Sequence, residues 1–162
     1  MLSIRRVAPA LMFAMASLFV QGAWAQQRPP YGVAINLETA KRVGAAALAE
    51  ARKNNWNVAV AVVDNHGMLV YYEMLDDTQT ASANIALEKA RTSATYRRPT
   101  KEMEDGIAAG RNAILGLPGA TPVEGGLPIV VGGKMIGAVG VSGVTSPQDG
   151  LVAKAGVDAL SK

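Results

Sequence analysis

The chain has no cysteine. That excludes disulfides, thiolate metal sites, a cysteine nucleophile and covalent c-type haem attachment. It has one histidine, so no multi-histidine zinc site can be built from its own residues. A Ser-His-Asp triad would have to use His66. Aromatic residues make up only 5% of the sequence, while alanine and glycine are abundant. The core therefore has to be packed from small side chains. Hydrophobic residues at 49% against 18% charged exclude a disordered chain. Beyond the first 25 residues no apolar run approaches the ~20 residues of a membrane span.

Those 25 residues have the three-part form of an export signal. Arg5 and Arg6 precede an apolar stretch at 7–20, and Ala23-Trp24-Ala25 supplies small residues for cleavage after Ala25. Val7-Ala8-Pro9 continues a twin-arginine motif poorly, so Sec export is expected, with a periplasmic or secreted product and no membrane attachment after cleavage. Removing 25 residues from 162 leaves 137, one domain's worth of chain. Residues 26–35 read as a flexible, proline-containing lead-in, and 36–162 as a single domain. Two of the 16 basic residues lie in the leader and none of the 13 acidic ones does, which leaves a net charge near +1. Nothing in that balance points to nucleic acid.

Apolar periodicity predicts a helix over 37–53, capped by Asn36. Residues 58–63 read as a strand covered on both faces. Asp64-Asn65-His66-Gly67 is a turn leading to a returning strand at 68–74. A helix follows over 81–96, capped by Thr80 or Ser82, with Ala83, Ala86, Ala90 and Ala94 near one face. Pro99 ends it. Thr100 is expected to cap another helix through 108. Residues 110–126 are loop-like, with one helical turn at 112–115 and a short strand near 121–123. Strands at 127–131 and 134–141 flank the Gly132-Gly133 turn. Ser146-Pro147-Gln148-Asp149 predicts a final helix capped by Ser146. Two consecutive hairpins between helices give an α+β domain with a mostly antiparallel sheet and a helix at each end.

Four residue sets could carry chemistry. Lys89, Arg91, Arg97, Arg98 and Lys101 form a basic string that could bind carboxylates or haem propionates. The alternative is a solvated helix face and a basic C-terminal turn. Lys89 and Arg91 point about 200° apart on a helix and cannot share a patch. Ser142 and Gly143, ahead of the last helix start, could hold a small anion; the alternative is a tight strand-to-helix corner. His66 could ligate haem iron or stand exposed in its turn. Glu73/Asp76 and Glu102/Asp105 are acidic pairs that could bind iron or simply be solvated.

Val60-Ala61-Val62-Val63-Asp64 with Gly67, Lys89-Ala90-Arg91-Thr92 with Arg98-Pro99-Thr100, Gly125-Gly126-Leu127-Pro128-Ile129, and Gly137-Ala138-Val139-Gly140-Val141-Ser142-Gly143 with Gln148-Asp149 occur in this order. Together they resemble the GlcG/HbpS family of haem-binding, or haem-degrading, domains across residues 36–160. The resemblance implies a profilin-like α/β/α arrangement around a five-stranded, mostly antiparallel sheet. It implies a homo-oligomer and, in some members, non-covalent haem. Arg97 or Arg98 would then meet the propionates, and His66 or Thr100 would approach the iron. The family's iron-linked acidic pair, Asp/Glu-x-x-Glu, is absent, since both pairs here end in Asp. The resemblance thus carries over neither a metal site nor an axial ligand. No nucleophile–base pair demands catalysis. The other expectations are a small-carboxylate-binding accessory protein or enzyme, and a non-catalytic partner of a sensor or transporter.

Overall fold

A computed structural model of the chain describes residues 28–161. The expected leader, residues 1–25, lies outside the described residues. Among those described, no helix is long and apolar enough to cross a membrane.

Helix α1 spans Leu37–Lys53 and starts where Asn36 Oδ1 accepts the Thr39 N–H at 2.8 Å. Strands β1 (Ala59–Asp64) and β2 (Leu69–Met74) form the first hairpin. Asp64 Oδ1 organises its turn by accepting the N–H groups of His66 and Met68 at 2.8 and 2.9 Å. Helices α2 (Ser82–Tyr96) and α3 (Thr100–Ala108) follow, then a 3₁₀ turn at Asn112–Gly116. Strands β3 (Gly126–Val131) and β4 (Lys134–Ser142) flank Gly132 and Gly133, and both glycines take positive φ. Helix α4 spans Ser146–Asp158.

The sheet is antiparallel throughout, in the order β2-β1-β4-β3. Helices cover both faces. Val60 and Val62 of β1 pack with Ala40, Val43, Ala47 and Val152 of α1 and α4. The alternate residues, Ala59, Ala61 and Val63, belong to small clusters with Ala86, Ala90 and Ala94 of α2. This is the period of two of a strand buried on both sides. Small residues let α2 approach closely: a Cβ on Gly140 would lie 2.0 Å from the Ala86 carbonyl oxygen. The scarcity of aromatics is thus expressed as backbone-to-backbone packing.

Several expectations are corrected. The sheet among the described residues has four strands, not five. The stretch expected as a strand near 121–123 forms no ladder, because the Thr121 N–H bonds to Thr92 Oγ1 and the Val123 N–H to the Thr121 carbonyl. Ala81, not Thr80 or Ser82, precedes α2, without a side-chain cap. Pro99 precedes α3, so Thr100 is its first residue and not its cap. Thr145, not Ser146, caps α4, where Gln148 Oε1 accepts from the Thr145 N–H and hydroxyl. With Thr145 as the cap, Gln148 is the third helical residue and Asp149 stands outside the capping box.

Candidate functional site

The α2–α3 elbow gathers the site. Arg97 takes a left-handed conformation (φ +52°), ending α2. Arg98 is held next to it by Ser93, whose hydroxyl donates to the Arg98 carbonyl at 2.9 Å. Pro99 then forces extended backbone and turns the chain into α3. The part of the lead-in that is described crosses this elbow. Arg28 Nη1 donates to the Tyr96 carbonyl at 3.0 Å, and Arg97 Nη1 to the Pro29 carbonyl at 3.4 Å.

These residues enclose a pocket of about 220 Å³ lined by Arg28, Pro29, Arg97, Arg98, Glu102 and Pro128. Three arginines and one glutamate are in its lining. Burial lowers the Arg98 pKa, and the charges of Arg28 and Arg111 lower it further, against the opposing pull of Glu102. The Arg98 Nε is buried without a hydrogen-bond partner. A buried N–H of a charged group left without a partner is expensive.

Pro99 and Glu102 also line a neighbouring, mainly apolar cleft of about 370 Å³. Gly125, Gly126, Leu127 and Leu151 form its walls, with Lys101 and Lys154 at the rim. Behind Gly125 lies a buried ion pair. Lys89 Nζ donates to Asp149 Oδ2 at 2.8 Å and to the Val141 carbonyl at 3.0 Å. Asp149 Oδ1 accepts the Val144 N–H at 3.2 Å. Burial pushes the Asp149 carboxyl above its usual range, opposed by Lys89 and by the backbone N–H groups of Val144 and Gly143. Gly125 sits at φ +128°, and a Cβ there would come within 2.8 Å of Lys89 Nζ. Only glycine lets the cleft wall pass this close to the pair.

A third pocket, about 400 Å³, is lined by Tyr31, Asn65, His66 and Thr95. His66 is exposed. Asn65 Nδ2 donates to the Gly32 carbonyl at 2.6 Å, while its Oδ1 is buried without a partner. Tyr31 separates this pocket from the arginines: its hydroxyl donates to the Ala94 carbonyl at 3.1 Å, and the Arg97 guanidinium lies 5.1 Å over its ring.

The predicted site residues therefore divide. Arg97 and Arg98 come together, but Lys89 is withdrawn from them, since it is buried and neutralised by Asp149. Arg91 pairs with Glu88, and Lys101 with Asp105, on exposed faces. Thr100 is fully buried, and its hydroxyl accepts the Gly126 N–H at 2.9 Å, so it presents no oxygen to a ligand. Ser142 is buried against Ser82, and a Cβ on Gly143 would lie 2.2 Å from the Asn57 carbonyl. The amide anion site expected there is filled by the carboxylate of Asp149. Of the acidic pairs, Glu73 faces Arg52 and Asp105 faces Lys101. No group of three metal-ligating residues occurs among the described residues. Arg28 was not anticipated. Its only sequence signal is Arg28-Pro29-Pro30-Tyr31, a cation and an aromatic ring on stiff backbone.

The family model described as "Haem degrading protein HbpS-like" matches residues 35–158. Protein GlcG of Escherichia coli K12 is 46% identical over 110 residues, which is 68% of this chain and 82% of GlcG. The crystal structure of HbpS superposes with a TM-score of 0.74 at 29% identity, covering 80% of this chain and 92% of that one. The crystal structure of a PduOC–haem complex superposes with a TM-score of 0.71 at 26% identity, covering 78% and 95%.

Proposed function

The chain belongs to the HbpS-like family of haem degrading proteins, and we propose from that footing that it binds haem non-covalently in the groove at Pro99. The observation that carries this reading is a pocket lined by three arginines beside a mainly apolar cleft. The apolar cleft alone is at the low end of the ~300–1,000 Å³ of ordinary ligand sites, and the arginine pocket that shares Pro99 and Glu102 with it would extend the space for a large ligand. Arg97 and Arg98 would hold the propionates. Leu127, Leu151 and the Gly125-Gly126 wall would take the apolar ring. The similarity to a haem-complexed structure supports the choice of ligand. Bound haem would supply redox chemistry at its iron; the protein's part is to hold the carboxylates, bury the ring and exclude water.

Haemin titration of residues 26–162, followed by absorbance, tests this. A saturable Soret shift is expected, and it should survive His66→Ala, because His66 lies in the pocket beyond Tyr31. Loss of the shift in that variant would move haem to the His66 side. No saturable shift at micromolar haemin in either protein would end the haem reading. Export through the leader and self-association belong to the same proposal. Protein recovered from an exporting host should begin at Gln26 and run as an oligomer in light scattering.

A second reading rests on size. The arginine pocket alone, at about 220 Å³, suits a small carboxylic acid better than a tetrapyrrole. It predicts thermal stabilisation by small acids and none by haemin.

A further inference from the structure

The described part of the lead-in behaves as a strap. The Met135 N–H donates to the Pro30 carbonyl and the Gly32 N–H to the Met135 carbonyl, both at 2.8 Å. Tyr31 forms an isolated parallel bridge with Met135 of β4. The Ile35 N–H donates to the Ile136 carbonyl at 2.8 Å. From this line Tyr31 reaches the carbonyls of Ala94 and Thr95 at 3.1 and 3.2 Å, and Arg28 reaches that of Tyr96. The strap thus closes the C-terminal end of α2 and supplies one wall of the arginine pocket.

A cation is welcome at a helix C-terminus, where carbonyls lack partners. That explains one of the three arginines. It does not explain Arg28 being brought against Arg98, whose charged form its charge disfavours, with Glu102 as the one carboxylate in the lining. One Nη of Arg28 reaches the Tyr96 carbonyl, which leaves further donors of the guanidinium fork.

We propose that Arg28, carried into place by the strap, completes with Arg97 and Arg98 a receptor for a ligand bearing two carboxylates. The site is then incomplete without the strap. Three planar forks can engage two carboxylates bidentately, a pairing that ammonium groups cannot reproduce. This rests on the reading of the pocket as the anionic end of the ligand site, and a haem propionate pair is one member of the class.

The test compares residues 26–162 as wild type, Arg28→Gln and Tyr31→Ala. The first variant removes the charge. The second keeps every arginine and releases the ring that anchors the strap. Each is titrated with haemin and with haemin dimethyl ester, and each is melted with and without malonate. Haemin dissociation constants should rise about tenfold in both variants. Ester binding should be equal in all three proteins. Wild-type haemin affinity in Arg28→Gln would overturn the proposal. If no protein takes haemin, the haem reading fails, and malonate decides the strap. Stabilisation of the wild type that is absent from both variants would sustain the two-carboxylate receptor. Equal stabilisation in all three, or none in any, would overturn it.

Discussion

Lys89 and Asp149 show how much one buried pair can organise. Both side chains are about 2% exposed, and Asp149 also ties down the Val144 amide at the start of α4. The pair joins α2, β4 and α4 behind the cleft wall. Removing one partner leaves an uncompensated charge in the interior, at a penalty of about 3–5 kcal/mol. Lys89→Met should therefore lower the unfolding free energy in urea by that order. The double variant Lys89→Met/Asp149→Leu should recover most of the loss. A Lys89→Met protein as stable as wild type would show that the pair holds nothing together. At this scale the sequence was least legible. Lys89 reads as one member of a basic string with Arg97 and Arg98. Its separation from Arg91 around the helix follows from helical geometry, but which face meets the sheet does not. Thr100 misleads for the same reason: a threonine after proline reads as a cap until Gly126 is seen to claim its hydroxyl. Arg98 was legible because Pro99, which turns the chain from α2 into α3, stands next to it in the sequence.

The secondary-structure elements were far easier to read, because caps, turns and periodicity are local. Asn36, the 64–67 turn and the Gly132-Gly133 hairpin form as expected. The errors are also local. Thr145 outcompetes Ser146 because Gln148 answers it across the capping box. The 121–123 stretch has strand-like composition, but its amides are engaged by Thr92 and by its own turn. Strand β2 carries a prediction of its own. Tyr71 packs against α1 at Gly44 and donates to Glu73, and burial together with that carboxylate pushes its pKa up to about 12. The folded state thus favours the neutral phenol. The stabilisation is complete below pH 10, the unfolded value, and is lost as pH rises from 10 towards 12. Melting temperatures measured across that window should fall for wild type and fall less steeply for Tyr71→Phe. Parallel curves for the two proteins would remove Tyr71 from the account.

At the scale of the whole molecule, the chain builds one α+β body from small residues, and the proposed ligand groove lies where four segments meet: the strap, the α2–α3 elbow, the start of β3 and the start of α4. A fold assembled from four motifs in order could be read from the sequence. A groove assembled from their ends could not, because Arg28, Arg98, Leu127 and Leu151 meet only through the sheet's 2-1-4-3 order. The central claim is that one ligand spans both halves of this groove, anionic at the arginines and apolar at the leucines. The most direct measurement is the haemin dissociation constant of wild type beside Arg98→Ala and Leu151→Glu, with melting temperatures as a check on folding. Leu151 is exposed, so its substitution spares the core. The account predicts that each variant stays folded and binds haemin at least ten times more weakly. Wild-type affinity in both folded variants would place the ligand elsewhere and contradict it.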